Sequence, residues 1–359
     1  MVHIVKRKEM PLPRAFAIRA GIIALALVMC GIVTMFMTGL NPIDVYATMF
    51  KGSFGSSRKI WILLQEIALL LCVSLALTPA FRMKFWNLGG EGQVLAGALA
   101  AAACMICLGN SMPGAALIAV MFLASIAAGA LWAAIPAFFK AKFNTNETLF
   151  TLMMNYVATQ LVAYYTIVWE NPKGSGTIGI INQKTQNGWL PIVGGNKYLL
   201  IVIVAVLLAV FMYVYLNYSK QGYEISVVGE SPSTARYVGI KVSRVIVRTL
   251  IVSGAICGLT GFLLVSGSAH TLTTALAGGR GFTAVMVAWL AKFNPFIMFG
   301  SSFLLEFMES GGREISTIYG LNQSFGNILT GIILFFIIGT DFFLTYKVVF
   351  SKKEGKENA

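Results

Sequence analysis

Charge is what this sequence lacks. Charged residues make up 11% of the chain and hydrophobic residues 57%, where a soluble domain carries about 25% charged. So little polar surface cannot cover so large an apolar core, which excludes an ordinary soluble protein and makes a bilayer the expected solvent. Aspartate is confined to Asp44 and Asp341, and there are only 2 histidines. No stretch carries a His-rich or paired-carboxylate array with metal-ligand or acid–base spacing, so an enzyme is not expected. A phosphate-binding GxxxxGK[ST] loop is also missing, so any ATP hydrolysis belongs to another polypeptide. The 5 cysteines (Cys30, Cys72, Cys104, Cys107 and Cys257) all fall in apolar runs. They read as small packing residues, and the Cys104–Cys107 CxxC has no second pair to complete a metal site.

What is present is a succession of long apolar segments. A helix needs about 20 such residues to cross the hydrocarbon. Ala17–Thr38, Ile60–Ala80, Leu88–Leu108, Ala115–Phe139, Thr148–Trp169, Tyr198–Leu216 and Thr249–Ser266 qualify. Phe282–Ala291 is short, Pro295–Phe307 is marginal, and Phe325–Phe343 is a full span. The expected fold is therefore an all-α integral membrane protein of about ten segments, some broken or short. With the N-terminus placed in the cytoplasm, alternation puts nineteen of the 27 lysines and arginines inside. That bias predicts both termini cytoplasmic. The net charge of +13 is then mostly topology, and nucleic acid is not an expected partner. The basic start leads into a full-length span and reads as a retained anchor.

The predicted organisation is a cytoplasmic tail (1–16), a membrane domain (17–346) and a second cytoplasmic tail (347–359). Two polar stretches interrupt the membrane domain. The outer loop 170–197 is rich in Gly and Asn, and 217–248 is the one sizeable cytoplasmic insertion. In the insertion, Ser231 before Pro232 signals a helix start and Gly239 a stop. Glu230, Ala235, Arg236 and Tyr237 belong to the same short element. So short a helix is unstable alone in water, and it is either an interfacial connector or a docking element for a partner protein.

An internal echo links "LGGEGQVLAGALAA" (Leu88–Ala101) with "AGGRGFTAVMVAWLA" (Ala277–Ala291). Two related halves of this kind are how many transporters build a solute path. Candidate path residues are Asn87, Glu91, Gln93, Thr151, Asn155, Thr159, Phe282 and Asn327. For Glu91 three readings stand: a cap on the amides of its own helix, a lining of the inner path, or proton coupling. Asn144 or Asn146 is expected to cap the helix that begins at Glu147. Thr151, Asn155 and Thr159 recur every four residues on one face, placed either for helix–helix bonds or for a passing solute. Glu306–Arg313, around Gly311-Gly312, reads as an outer turn whose charges pair, with Glu314, Asn322 and Gln323 following. His270 reads as a solvated loop residue, and Phe282, Trp289 and Phe293 either stack a base or, as the nearer reading, face the bilayer or pack. Amides and hydroxyls suit a small neutral polar solute. An ion-coupled secondary transporter would want more ionisable groups deep in the spans.

The stretches "FWNLGGEGQVLAGALAA", "NETLFTLMMNYVA", "GYEISVVGESPSTARYVGIKVSR", "GGRGFTAVMVAWLAKFNPF" and "GLNQSFGNILTGIILFF" spread over about Phe85–Phe343. Together they resemble the permease subunit of bacterial ABC importers for ribose-type sugars and nucleosides, closest to the nucleoside branch. The segment Met286–Phe293 departs from the small-residue run usual in that family. The resemblance implies a multi-pass permease of the bacterial cell membrane, paired with a second, homologous permease. It also implies two ATPase subunits that carry ATP-Mg, no cofactor on this chain, and an external substrate-binding lipoprotein. In that family the short inner helix is the coupling helix seated on the ATPase. The implied solute is a nucleoside, with a ribose-type or other simple sugar as the alternative.

Overall fold

In the computed structural model, residues 2–6, 12–322 and 324–350 are described. Each expected span falls on a helix: α1 (Leu12–Thr38), α3 (Ser57–Arg82), α4 (Gly90–Leu108), α5 (Gly114–Phe143), α6 (Glu147–Val168), α7 (Leu199–Tyr218), α10 (Val242–Leu263), α11 (Arg280–Leu290), α12 (Pro295–Tyr319) and α13 (Ser324–Thr345). Among the described residues, six helical segments are long and apolar enough to cross a bilayer: Gly21–Thr38, Ser57–Arg82, Gly90–Leu108, Gly114–Phe143, Leu199–Tyr218 and Val242–Ala269. On α7, Val206, Leu207, Val210 and Phe211 are exposed, an apolar surface stable only in lipid. Three short helices fall outside the expected spans: α2 (Pro42–Phe54), α8 (Lys220–Glu230) and α9 (Pro232–Tyr237). Among the described residues the architecture is all-helical apart from one short two-stranded ribbon. Strands β1 (Val2–Lys6) and β2 (Tyr346–Phe350) pair antiparallel, Val2 opposite Phe350 and Lys6 opposite Tyr346. Their β-branched and aromatic residues suit a ribbon.

The chain divides into two compact units, Met1–Ile60 with Leu305–Ala359, and Trp61–Leu304. In the first, Ala26, Cys30, Val45, Met49, Leu329 and Ile333 share a core. The expected turn at Gly311-Gly312 does not form, because α12 runs through it unbroken. Those glycines serve close packing instead. A Cβ on Gly312 would lie 2.7 Å from the Cα of Gly326, and one on Gly311 would lie 2.9 Å from the Cβ of Met49. The charges there pair along the helix and with a neighbour: Arg313 with Glu309 at 2.7 Å and Lys59 with Glu314 at 2.8 Å. Glu306 is buried, Asn322 is exposed, and Gln323 lies outside the described residues.

In the second unit, α4, α5 and α10 pack backbone to backbone. A Cβ on Gly258 would lie 2.1 Å from the Ser125 carbonyl oxygen, and one on Gly129 2.2 Å from that of Gly254. A Cβ on Gly97 would lie 2.4 Å from the Gly258 Cα. Without a hydrophobic drive between helices in lipid, such small-residue contacts carry association. Helix α3 is buried almost continuously from Ile67 to Phe81. Helix α10 ends in a π-helical turn, Leu264–Ala269, closed by His270 in the left-handed region at φ 52°.

Candidate functional site

The start of α4 has no side-chain cap of its own, and neighbouring residues serve its amides. Gly89 N–H donates to Asn87 Oδ1 at 3.0 Å, Leu88 N–H to Thr151 Oγ1 at 3.2 Å, and Gly92 N–H to Asn155 Oδ1 at 2.8 Å. Asn155 Nδ2 returns a bond to the Leu88 carbonyl at 2.8 Å. Asn87 also donates to Ser253 Oγ on α10 at 3.3 Å and accepts from Gln93 Nε2 at 3.2 Å. Asn87, Gln93, Thr151 and Asn155 thus form one buried network that ties α4 to α6 and α10. Such networks rigidify the elements they join, and here Gln93 Oε1 is the member left without a hydrogen bond. Of the alternatives for the four-residue face on α6, Asn155 and Thr151 make helix–helix bonds. Thr159 donates back to the Asn155 carbonyl at 3.0 Å.

Glu91 turns away from its own helix. Its carboxylate accepts from Gly279 N–H at 2.8 Å and from Gly281 N–H at 2.7 Å. Those amides open α11, whose N-cap, Gly279, sits at φ 75° and has no side-chain cap. The acid therefore neutralises the positive end of the other repeat's helix, not of its own as the nearest reading held. The two motifs touch: a Cβ on Gly281 would lie 2.3 Å from Glu91 N. Arg280 pairs with Glu66 of α3, so the charged residue of each repeat is held by a partner outside its own helix. Trp86 and Trp289 stack with centroids 5.4 Å apart, and Phe81 and Phe293 pack edge-on to Trp289. The aromatic residues near this junction pack on one another. Phe282 is 44% exposed, and Asn327 is exposed on α13 in the first unit.

The insertion folds as its local chemistry dictates. Ser231 Oγ accepts from Thr234 N–H at 3.3 Å, Pro232 opens α9, and Gly239 follows at φ 86°. Ala235 is fully buried against a core with Ile225, Val228 and Val245. Glu230, Arg236 and Gly239 are exposed, and Tyr237 is 93% exposed. The α9 helix is thus anchored by one methyl group and presents its charged and aromatic side chains outward.

At the other end of α10, loop 170–197 is docked and ordered. Trp189 stacks on His270 at 3.8 Å between centroids and 8° between planes. Ile181 N–H donates to the His270 carbonyl at 2.8 Å, and Leu190 N–H to that of Ser266 at 2.9 Å. Asn182 donates to the Met105 carbonyl in the last turn of α4 and Asn187 to the Met112 carbonyl in the turn before α5, each at 3.0 Å. His270 is therefore not a solvated loop residue. Burial first, and Lys197 second, push its pKa below the ordinary 6.5. In the same loop Glu170 accepts from Gly174 N–H and Gly176 N–H, which holds its carboxyl below the usual range.

A family model described as "Branched-chain amino acid transport system / permease component" matches residues 60–338. The chain belongs to that family. The permease is 29% identical over 340 residues to a glucose ABC transporter permease protein of Haloferax volcanii, covering 90% of this chain and 87% of that one. It is 28% identical to a guanosine ABC transporter permease protein of Bacillus subtilis, covering 93% and 94%. A nucleoside ABC transporter permease protein of Lactococcus lactis is 26% identical, with 86% of each chain covered. The family suggested by the motifs is the family found, and the permease is a transport component of a multi-pass kind, not a catalyst.

Proposed function

We propose that this permease is the membrane subunit of an ATP-binding-cassette importer that passes a nucleoside into the cell. Separate ATPase subunits drive it, a second permease completes the path, and an external lipoprotein delivers the solute. The observation that carries this reading is α9: anchored by Ala235, it exposes Arg236 and Tyr237 and leads directly into α10. A push on α9 is delivered to a span whose other end holds the docked outer loop. The antiparallel pairing of β1 with β2 supports both chain ends lying on one face of the membrane, here the cytoplasm of a bacterial cell membrane. Similarity over nearly the whole length of the guanosine permease supports the choice of solute.

The sugar reading has its own support in the glucose permease relative. The two separate in one experiment. The permease is purified with its ATPase and reconstituted with its receptor, and ATP hydrolysis is measured with guanosine, adenosine, ribose or glucose added. Stimulation by nucleosides alone is expected, and stimulation by sugars alone overturns the nucleoside assignment. Uptake that persists after ATP depletion but stops when ion gradients collapse would overturn the importer reading itself.

A further inference from the structure

We infer that the groove between the Lys142 end of α5 and the Arg244 end of α10 is a binding site for an anionic phospholipid. The groove is open to the surface, offers about 640 Å³, and is lined by Lys142, Arg244 and Arg248 at one end and by Phe138, Val247 and Ile251 beyond them. No carboxylate lines it. Arg248 is matched by Glu224 at 3.0 Å. Among the described residues, neither Lys142 nor Arg244 has an acidic partner. The Lys142 ammonium lies over the Phe138 and Phe143 rings, at 5.6 and 5.4 Å from their centroids. Two positive charges thus sit unmatched at the mouth of an apolar trough.

The trough is long enough to seat part of an acyl chain. From Arg244 to Ile251 the α10 wall runs about 10 Å, at ~1.5 Å per residue, the depth of an acyl stem below its headgroup. Its floor is fixed: Ser243 Oγ donates to the Ala141 carbonyl at 3.2 Å, and deeper along the pair a Cβ on Gly254 would lie 2.3 Å from the Gly129 carbonyl oxygen. Phe138 and Ile251 are exposed within helices long and apolar enough to span the bilayer. A soluble partner does not reach that depth, whereas a lipid from the surrounding leaflet does. Basic pockets between spans at the cytoplasmic surface recognise anionic headgroups in this way. The site lies at the start of α10, directly after α9, so a bound lipid would brace the span at the point where the insertion moves it.

The test uses the full-length permease in detergent, titrated with phosphatidylglycerol or with phosphatidylcholine of the same acyl chains and observed by native mass spectrometry. Wild type should retain phosphatidylglycerol roughly tenfold better. Lys142→Gln with Arg244→Gln should abolish that preference, while the charge-keeping Lys142→Arg with Arg244→Lys preserves it. Lys184→Gln with Lys197→Gln, in the outer loop, should leave it unchanged. Equal retention of the two lipids by wild type, or an undiminished preference in the double Gln variant, overturns the site. So does a photoreactive residue at Ile251 that crosslinks in native membranes to a protein chain; capture of phospholipid supports it.

Discussion

Glu91 caps the helix that begins at Arg280. Its carboxylate lies 2.7 Å from the Gly281 amide, so the acidic motif of one repeat closes the open amides of the other. The bond joins the repeats at the position where a Cβ on Gly281 would lie 2.7 Å from the Glu91 Cα. Charge and close approach are built into the same contact, so each should be separately removable.

Replacing Glu91 with Ala leaves two amides of α11 without an acceptor and should destabilise by about 1–3 kcal/mol. Glu91→Gln keeps one acceptor oxygen and should lose less than half of that. Both are measured by thermal unfolding in detergent. If Glu91 instead carries protons, Glu91→Gln would leave stability intact and abolish only the pH dependence of uptake.

Asn155 gives a second, contrasting case. Its side chain bonds both Gly92 N–H and the Leu88 carbonyl, so Asn155→Leu should destabilise by about 2 kcal/mol. It should lower the amount of folded permease while leaving the apparent KM of what remains near that of wild type. A raised KM at unchanged stability would place the amide on the solute instead.

How far these contacts could be read in advance depended on distance along the chain. Ser231, Pro232 and Gly239 carry a helix start and stop in their own chemistry, and Asn146 likewise caps α6 through Leu149 N–H. Glu91 was visible as a charge in an apolar run, but its acceptor role lies 190 residues away and no local pattern encodes it. The same holds for Trp189 against His270. The Gly311-Gly312 pair reads as a turn and is not one, for a different reason: two glycines also serve a close helix contact, and only Gly326 on the facing helix decides. Helix α2 carries an Asn41 cap on Ile43 N–H ahead of Pro42, a local signal hidden among longer apolar segments.

Tyr237 is almost wholly exposed and Ala235 wholly buried, two residues apart on α9. Tyr237→Glu should change stability by less than about 0.5 kcal/mol yet abolish solute-stimulated ATP hydrolysis by the assembled importer. Ala235→Glu should fail earlier, at folding, because it buries an unpaired charge. Full transport by Tyr237→Glu would remove α9 from the coupling route.

The glycine crossings predict a graded series. Gly258→Ala places a Cβ 2.1 Å from the Ser125 carbonyl oxygen, where backbone must move, at a cost of about 1–3 kcal/mol. Gly331 on α13 meets nothing within 4 Å, and Gly331→Ala should be neutral or slightly stabilising through helix propensity. Unfolding temperatures that fall equally for both would show that helix flexibility, not contact, is what the glycines supply.

Acid should loosen loop 170–197. The folded His270 pKa lies below 6.5, so the unfolded or undocked state binds the proton more readily. Docking free energy is then fully present above about pH 6.5 and declines as the pH falls through the folded value. Protonation also sets a cation beside Lys197, the second cause of the shift. Hydrogen exchange at the Ile181 and Leu190 amides, both bonded to the end of α10, should accelerate as the pH drops from 7 toward 5, after correction for intrinsic rates. His270→Gln should flatten that profile while leaving the α9 region unaffected. An exchange profile that remains pH-dependent in His270→Gln would assign the loosening to another group and leave the Trp189 stack without a role in holding the loop.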